Sequence, residues 1–141
     1  MTNISSFYET QPVGFPYQGW FYNIAIRGDF QGDPHELLNL LKEMEREFSN
    51  VKRFQYAPRI LDVDILTFGN ISIDTPELTI PHPKLESRRF VLIPLAEIMP
   101  DFIHPVSGLR ISEMLTRCMD DSTVLIFPSH DDMNWQLEVS R

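Results

Sequence analysis

Apolar and polar positions change period several times along this chain. Over residues 20–27 they alternate. Phe21, Asn23, Ala25 and Arg27 share one face, and Trp20, Tyr22, Ile24 and Ile26 share the other. The second face is the more apolar, so the pattern predicts a strand that turns it to the core. Residues 4–9 read as a shorter strand. The TQPVGFPYQG between them holds two prolines and two glycines and reads as a loop. The period then lengthens. Asp33-Pro34-His35-Glu36 is a helix start, with Asp33 as cap, Pro34 at the first helical position and Glu36 closing a capping box. Leu37, Leu41, Met44 and Phe48 follow at helical spacing, which predicts a helix to about Phe48. After a basic, irregular loop (SNVKRFQYAP), residues 60–68 alternate again. Leu61, Val63 and Ile65 point one way; Asp62 and Asp64 point the other, with Leu66 and Phe68 further along that face. Gly69-Asn70 marks the end of this predicted strand. Residues 79–83 read as a proline-bounded loop, 92–98 and 111–118 as helices, and 123–127 as strand-like. Residues after Pro128 read as a mobile tail.

Composition narrows the class. The 141 residues suffice for one domain, and no repeat or linker divides them, so a single domain over 1–141 is expected. Apolar residues make up 43% and charged residues 23%, as in an ordinary folded protein. No apolar run approaches the roughly 18 residues of a membrane span. The start MTNISSFYET has neither a basic stretch nor an apolar core, unlike a signal peptide. The lone Cys118 has no internal disulfide partner and reads as an ordinary half-buried thiol, which suits the cytoplasm. A formal charge of −8 disfavours a nucleic-acid partner. An anionic ligand would need local basic residues and cations.

The acidic pair is the feature with most chemical content. Residues two apart in a strand project from one face, with Cα atoms roughly 6.6 Å apart. Two carboxylates so placed repel unless a cation sits between them, and they suit one or two magnesium ions that also hold phosphate oxygens. A plain solvated strand face is the competing reading. The flanks favour the metal site: Arg59 precedes the pair, and Lys52 and Arg53 lie in the loop before it. The chain has no GxxxxGK[ST] and no GxGxxG, so the site is of neither Walker nor Rossmann type.

At these residues the chain resembles a known family. YAPRILDVDIL closely resembles the signature of 6-hydroxymethyl-7,8-dihydropterin pyrophosphokinases of folate biosynthesis. SSFYETQPVG resembles that family's first pterin-binding loop, WFYNIAI its strand with an inward Asn, and IPHPKLESRRFVLIPLAEIMPD its ATP-contacting loop and following helices. The resemblance spans residues 5 to 115 or so. It implies an α+β, ferredoxin-like antiparallel sheet with helices on its face, and transfer of pyrophosphate from ATP to the pterin hydroxymethyl group with release of AMP. Two Mg²⁺ ions would be held by Asp62 and Asp64, with Arg59 and Arg88 assisting catalysis. Glu45, Lys52, Arg53, Ile65, Thr79, His82 and Arg88 would line the ATP site. Thr10, Gln11, Val13, Phe21, Asn23, Tyr56 and Phe90 would line the pterin site, Asn23 through its amide and the aromatics by stacking. The partners implied are these two small molecules, with no nucleic acid and no membrane. Self-association, or fusion to another folate enzyme, is also open.

Members of that family usually begin with a strand, a Gly-Ser-Asn turn and a long helix ahead of the SSFYET-like segment, so an N-terminally shortened sheet is expected. A sheet lacking a central strand exposes backbone edges, and association or low stability follows. The family's Gly-Arg-x-Arg run is replaced by Ser49-Asn50-Val51-Lys52-Arg53, Phe21 stands for a usual Tyr, and Glu77 for a sometimes basic residue. The alternative reading is a pterin- or nucleotide-binding module, or a fragment of a larger folate enzyme, without turnover.

Overall fold

A computed structural model describes residues 2–10, 21–51 and 61–127. The expectations for Trp20, for the loop residues 11–19 and 52–60, and for the tail after 127 lie outside the described residues. The chain divides into two compact units, Asp29–Pro83 and a second made of Met1–Gly28 with Lys84–Arg141.

The Asp29–Pro83 unit is organised by α1 (Pro34–Val51). Its start is the capping box expected from the sequence. Asp33 Oδ1 accepts the Glu36 N–H at 2.9 Å, and Glu36 Oε1 accepts the Asp33 N–H at 3.1 Å. The backbone N–H of Glu36, on the cap, is the main cause that holds the Asp33 carboxyl below its ordinary range. Leu37, Leu38 and Leu41 pack on a core of Ile65, Leu78 and Ile80. Met44 and Phe48, expected on the covered stripe, are exposed instead. The inward line runs Leu37–Leu41–Glu45, and Met44 falls beside it.

Residues 61–68 correct a second expectation. Their exposure alternates as a strand's would: Asp62 and Asp64 are exposed, Leu61 and Val63 half-buried, and Ile65 buried. Yet they are not a strand, because a strand is defined by a ladder and none is made here among the described residues. Phe68, placed by alternation with the aspartates, packs on the core instead. Gly69 adopts φ 56° in the turn that follows, a left-handed conformation suited to glycine. Next come β5 (Ile73–Asp74) and β6 (Thr79–Ile80), an antiparallel hairpin closed by reciprocal Thr75 and Leu78 backbone bonds. Thr79 and Ile80 were expected in a loop. They pair because the prolines begin only at Pro81, which has no N–H to continue the ladder. The Ile80–Pro81 bond is cis.

In the other unit, β1 (Asn3–Ile4), β2 (Phe7–Thr10), β3 (Phe21–Asn23) and β4 (Ile26–Arg27) form antiparallel ladders. Each of the two strands expected from the sequence is thus broken. The registers give the reason. Ile4 pairs with Ile26 and Tyr8 with Asn23, so three residues, Ser5 to Phe7, face two, Ile24 and Ala25. One extra residue on one strand makes a β-bulge. Ser5 bridges it by donating its N–H to Ala25 O and accepting the Ala25 N–H on Oγ, both at 2.9 Å. The Ser6 N–H leaves the ladder and is taken by the Glu97 carboxylate at 3.0 and 3.1 Å.

Glu97 lies on α2 (Arg89–Ile98), which packs against β2, β3 and β7 (Val124–Phe127) and on α3 (Ile111–Arg117). β7 adds to β2 in the order β3-β2-β7, as the strand-like composition of residues 123–127 anticipated. Leu85, Leu92, Leu95, Ile111 and Met114 are buried. Asp120 joins the start of α2 to the approach to β7, accepting the N–H groups of Ser122 and Arg89 at 2.9 Å each; these bonds hold its carboxyl below the ordinary range.

The described residues of the predicted apolar face, Tyr22, Ile24 and Ile26, do not cover a core. Tyr22, Ile24 and Ile26 are 60%, 37% and 65% exposed, whereas Ala25 is buried. Alternation says which residues share a face but not which face is covered. Here the Tyr8 hydroxyl, bonded to Glu97 at 2.6 Å, ties the opposite face to α2. Burial first, then the hydrogen bond and charge of Glu97, push the Tyr8 hydroxyl up to about 12. Burial alone would raise the Glu97 carboxyl, but bonds from Tyr8 and Ser6 outweigh it and hold it below the ordinary value. The fold is therefore α+β, built from antiparallel sheets and three α-helices among the described residues, none of them long and apolar enough to cross a membrane.

A carboxyl lowered by folding stabilises above its unfolded pKa, and that stabilisation is lost as pH falls through the folded value. Glu97→Ala is expected to cost about 1–2 kcal/mol at neutral pH, trimmed by the exposure of Glu97, with the difference from the parent vanishing in acid. Urea denaturation from pH 7 to pH 3 checks this.

Candidate functional site

The expected site residues fall into two groups that follow the two units. In the sheet unit, Thr10 pairs with Phe21 and Tyr8 with Asn23, so these side chains share one sheet face. Thr10 is buried and accepts a hydrogen bond from Asn23 Nδ2 at 2.5 Å. That bond fixes the amide's orientation and directs Asn23 Oδ1 as an acceptor. Phe21 is 40% exposed and leaves a ring surface available. At the start of α2, the Arg88 guanidinium lies 5.7 Å over the Phe90 ring, within cation–π range. Arg88 and Phe90, assigned to different ligands, are therefore neighbours that order one another.

The Asp29–Pro83 unit holds Glu45, Asp62, Asp64, Ile65, Thr79 and His82. Asp62 and Asp64 project on the side opposite Ile65, whose side chain is locked in the core. Two bonds from outside the segment help to hold residues 61–68. Glu45 Oε2 accepts the Val63 N–H at 2.6 Å, and the His82 N–H donates to Leu66 O at 2.8 Å. The short distance marks a charge-assisted bond. Thr79 and His82 are half-buried. Among the described residues no three His, Cys, Asp or Glu side chains gather as a metal centre. Two carboxylates remain, a set that suits a cation completing its shell with water and phosphate rather than a closed protein cage. Arg59, Lys52, Arg53, Tyr56, Gln11 and Val13 lie outside the described residues.

Sequence reading missed Glu97, Asp120 and the role of Glu45 as backbone acceptors. The signal for Glu45 was present: it occupies the position after Leu37 and Leu41 on the inward row, where a carboxylate needs a partner. A cavity of about 300 Å³ lined by Arg27, Ile98, Met99, Pro100, Asp101 and Phe102 includes none of the expected site residues.

These features define an α+β protein with an exposed carboxylate pair in one unit and an amide–aromatic cluster in the other. Residues 1–100 match the model of the 7,8-dihydro-6-hydroxymethylpterin-pyrophosphokinase (HPPK) family, and the chain belongs to that family. It is 43% identical over 98 residues to the Bacillus subtilis protein named 2-amino-4-hydroxy-6-hydroxymethyldihydropteridine pyrophosphokinase, covering 70% of this chain and 59% of that one. It is 42% identical over 103 residues to the Aquifex aeolicus protein of the same name, covering 73% and 64%. An Arabidopsis thaliana "Folate synthesis bifunctional protein" is 44% identical over 100 residues, covering 70% of this chain and 21% of that protein. The chain thus spans about three-fifths of the two bacterial relatives.

Thr10→Val keeps the shape of the side chain and deletes the acceptor of Asn23. A loss of about 1–2 kcal/mol in denaturant unfolding is expected; unchanged stability would contradict the role given to this bond.

Proposed function

We propose that this chain transfers pyrophosphate from ATP to 6-hydroxymethyl-7,8-dihydropterin, giving AMP and the pterin diphosphate, a step of folate synthesis in the cytoplasm. The observation that carries the reading is the exposed Asp62–Asp64 pair on a core-pinned segment, in a chain of the HPPK family. The donor set fits Mg²⁺, which takes oxygen ligands and keeps waters and substrate phosphates. Bound there, two magnesium ions would supply neutralisation of phosphate charge and a template for in-line displacement.

The chain's own residues do the rest. Asp62 and Asp64 offer carboxylate oxygens from one side of an extended segment. Arg88, ordered over Phe90, presents a guanidinium for a phosphate oxygen. Thr79 and His82 follow Ile80-side packing into the same unit and serve the nucleotide; the Ile65 side chain is core, so its contribution is through backbone. Arg59, Lys52 and Arg53 supply further positive charge by their place beside the pair in sequence. Asn23 Oδ1 accepts from the pterin's amide and amino edge, while Thr10 holds the amide. Phe21 and Phe90 provide flat surfaces for the ring, and the family resemblance assigns Tyr56, Gln11 and Val13 to the same ligand. Catalysis then rests on positioning and electrostatics, with no covalent intermediate. The bifunctional name of the Arabidopsis relative supports a place beside a second folate activity in some chains.

With Mg²⁺ and both substrates, AMP release that requires the pterin is expected. Asp62→Asn and Asp64→Asn should each lower it at least a hundredfold, roughly the loss when a charge acting on the transition state is removed. A folded chain that binds both substrates but releases no AMP would favour the non-catalytic module.

A further inference from the structure

The Glu45 carboxylate sits where its helix should bury something apolar. Leu37 and Leu41 precede it on one i, i+4 row, and both pack on the Ile65–Leu78–Ile80 core. A half-buried carboxylate on that row needs a donor, and it accepts the N–H of Val63, the residue between the two aspartates, at 2.6 Å. Segment 61–68 has no ladder among the described residues to set its register. Its alternation, and so the projection of Asp62 and Asp64 on one side, is held by Ile65 in the core, by this bond beside both aspartates and, three residues on, by the His82 N–H on Leu66 O.

We propose that Glu45 is a positioning residue for the Asp62–Asp64 pair: its carboxylate fixes the Val63 peptide and thereby the spacing of the two metal-binding carboxylates, without itself ligating metal or nucleotide. This rests on the reading of that pair as the metal site. It assigns Glu45 a different task from the ATP contact implied by resemblance. A carboxylate that grips a peptide N–H acts as an acceptor, and an amide oxygen can replace it in that task. A carboxylate that ligates metal acts by its charge, and an amide cannot replace it.

The test uses the full chain and two readouts: hydrogen exchange of the Val63 amide without metal, and binding of Mn²⁺ with a non-hydrolysable ATP analogue, followed by electron paramagnetic resonance. Glu45→Gln should keep Val63 protected and bind Mn²⁺ within about threefold of the parent. Glu45→Ala should expose the amide and weaken Mn²⁺ at least tenfold, the usual scale for removing a group that orients a ligand. Asp62→Asn should abolish Mn²⁺ binding yet leave Val63 protected. Glu45→Gln as weak as Glu45→Ala overturns the proposal in favour of a charged ligand, and so does Glu45→Ala with unchanged affinity or exchange. If Asp62→Asn binds Mn²⁺ normally, the metal-site reading fails, and the Val63 exchange data still report separately on the Glu45 bond.

Discussion

Backbone N–H groups that leave the regular ladders must find acceptors, and at several key places in this protein carboxylates provide them. Ser6 at the β-bulge is held by Glu97, Val63 between the aspartates by Glu45, and Arg89 at the start of α2 by Asp120. Asp33 and Glu113 do the same at the starts of α1 and α3. An unpaired N–H away from water costs about as much as a lost hydrogen bond, and an ionised acceptor makes a stronger bond than a neutral one. With 20 acidic against 12 basic residues, the chain is rich in such acceptors. Its excess negative charge is thus partly structural.

The irregular places are where the residues proposed for function lie. The bulge at Ser5–Phe7 shifts register by one residue, so Tyr8, Thr10, Phe21 and Asn23 share the face to which Tyr8 and Glu97 tie α2. The unladdered segment 61–68 leaves room for two carboxylates on one side. A fully paired strand would give the same alternation, but its backbone would be set by neighbouring strands rather than by a helix side chain, a core contact and a loop bond.

Much of this was legible beforehand. The capping box at Asp33, the helices read at 92–98 and 111–118, the turn at Gly69 and the strand character read at 123–127 follow from local chemistry, and the observed elements lie within a few residues of them. The pterin and nucleotide residues came from resemblance over matching segments, not from periodicity. What was not legible depends on contacts distant in sequence. No local pattern shows that Ser6 meets Glu97, 91 positions away, and so none shows the bulge. Nor does alternation show that Tyr22, Ile24 and Ile26 face outward while Ala25 is buried. The strand expected at 60–68 failed for a related reason: propensity describes a residue's fit to a sheet, and a ladder requires a neighbour.

The central claim is that Asp62 and Asp64 hold metal against ATP phosphates while Asn23 reads the pterin. A crystal structure of the full chain with Mg²⁺, a non-hydrolysable ATP analogue and 6-hydroxymethyl-7,8-dihydropterin tests it most directly. The account predicts metal-bound oxygens of both aspartates at about 2.0–2.1 Å, with the Asn23 amide on the pterin edge. Metal and phosphates bound away from residues 62–64, in a fully occupied complex, would contradict it.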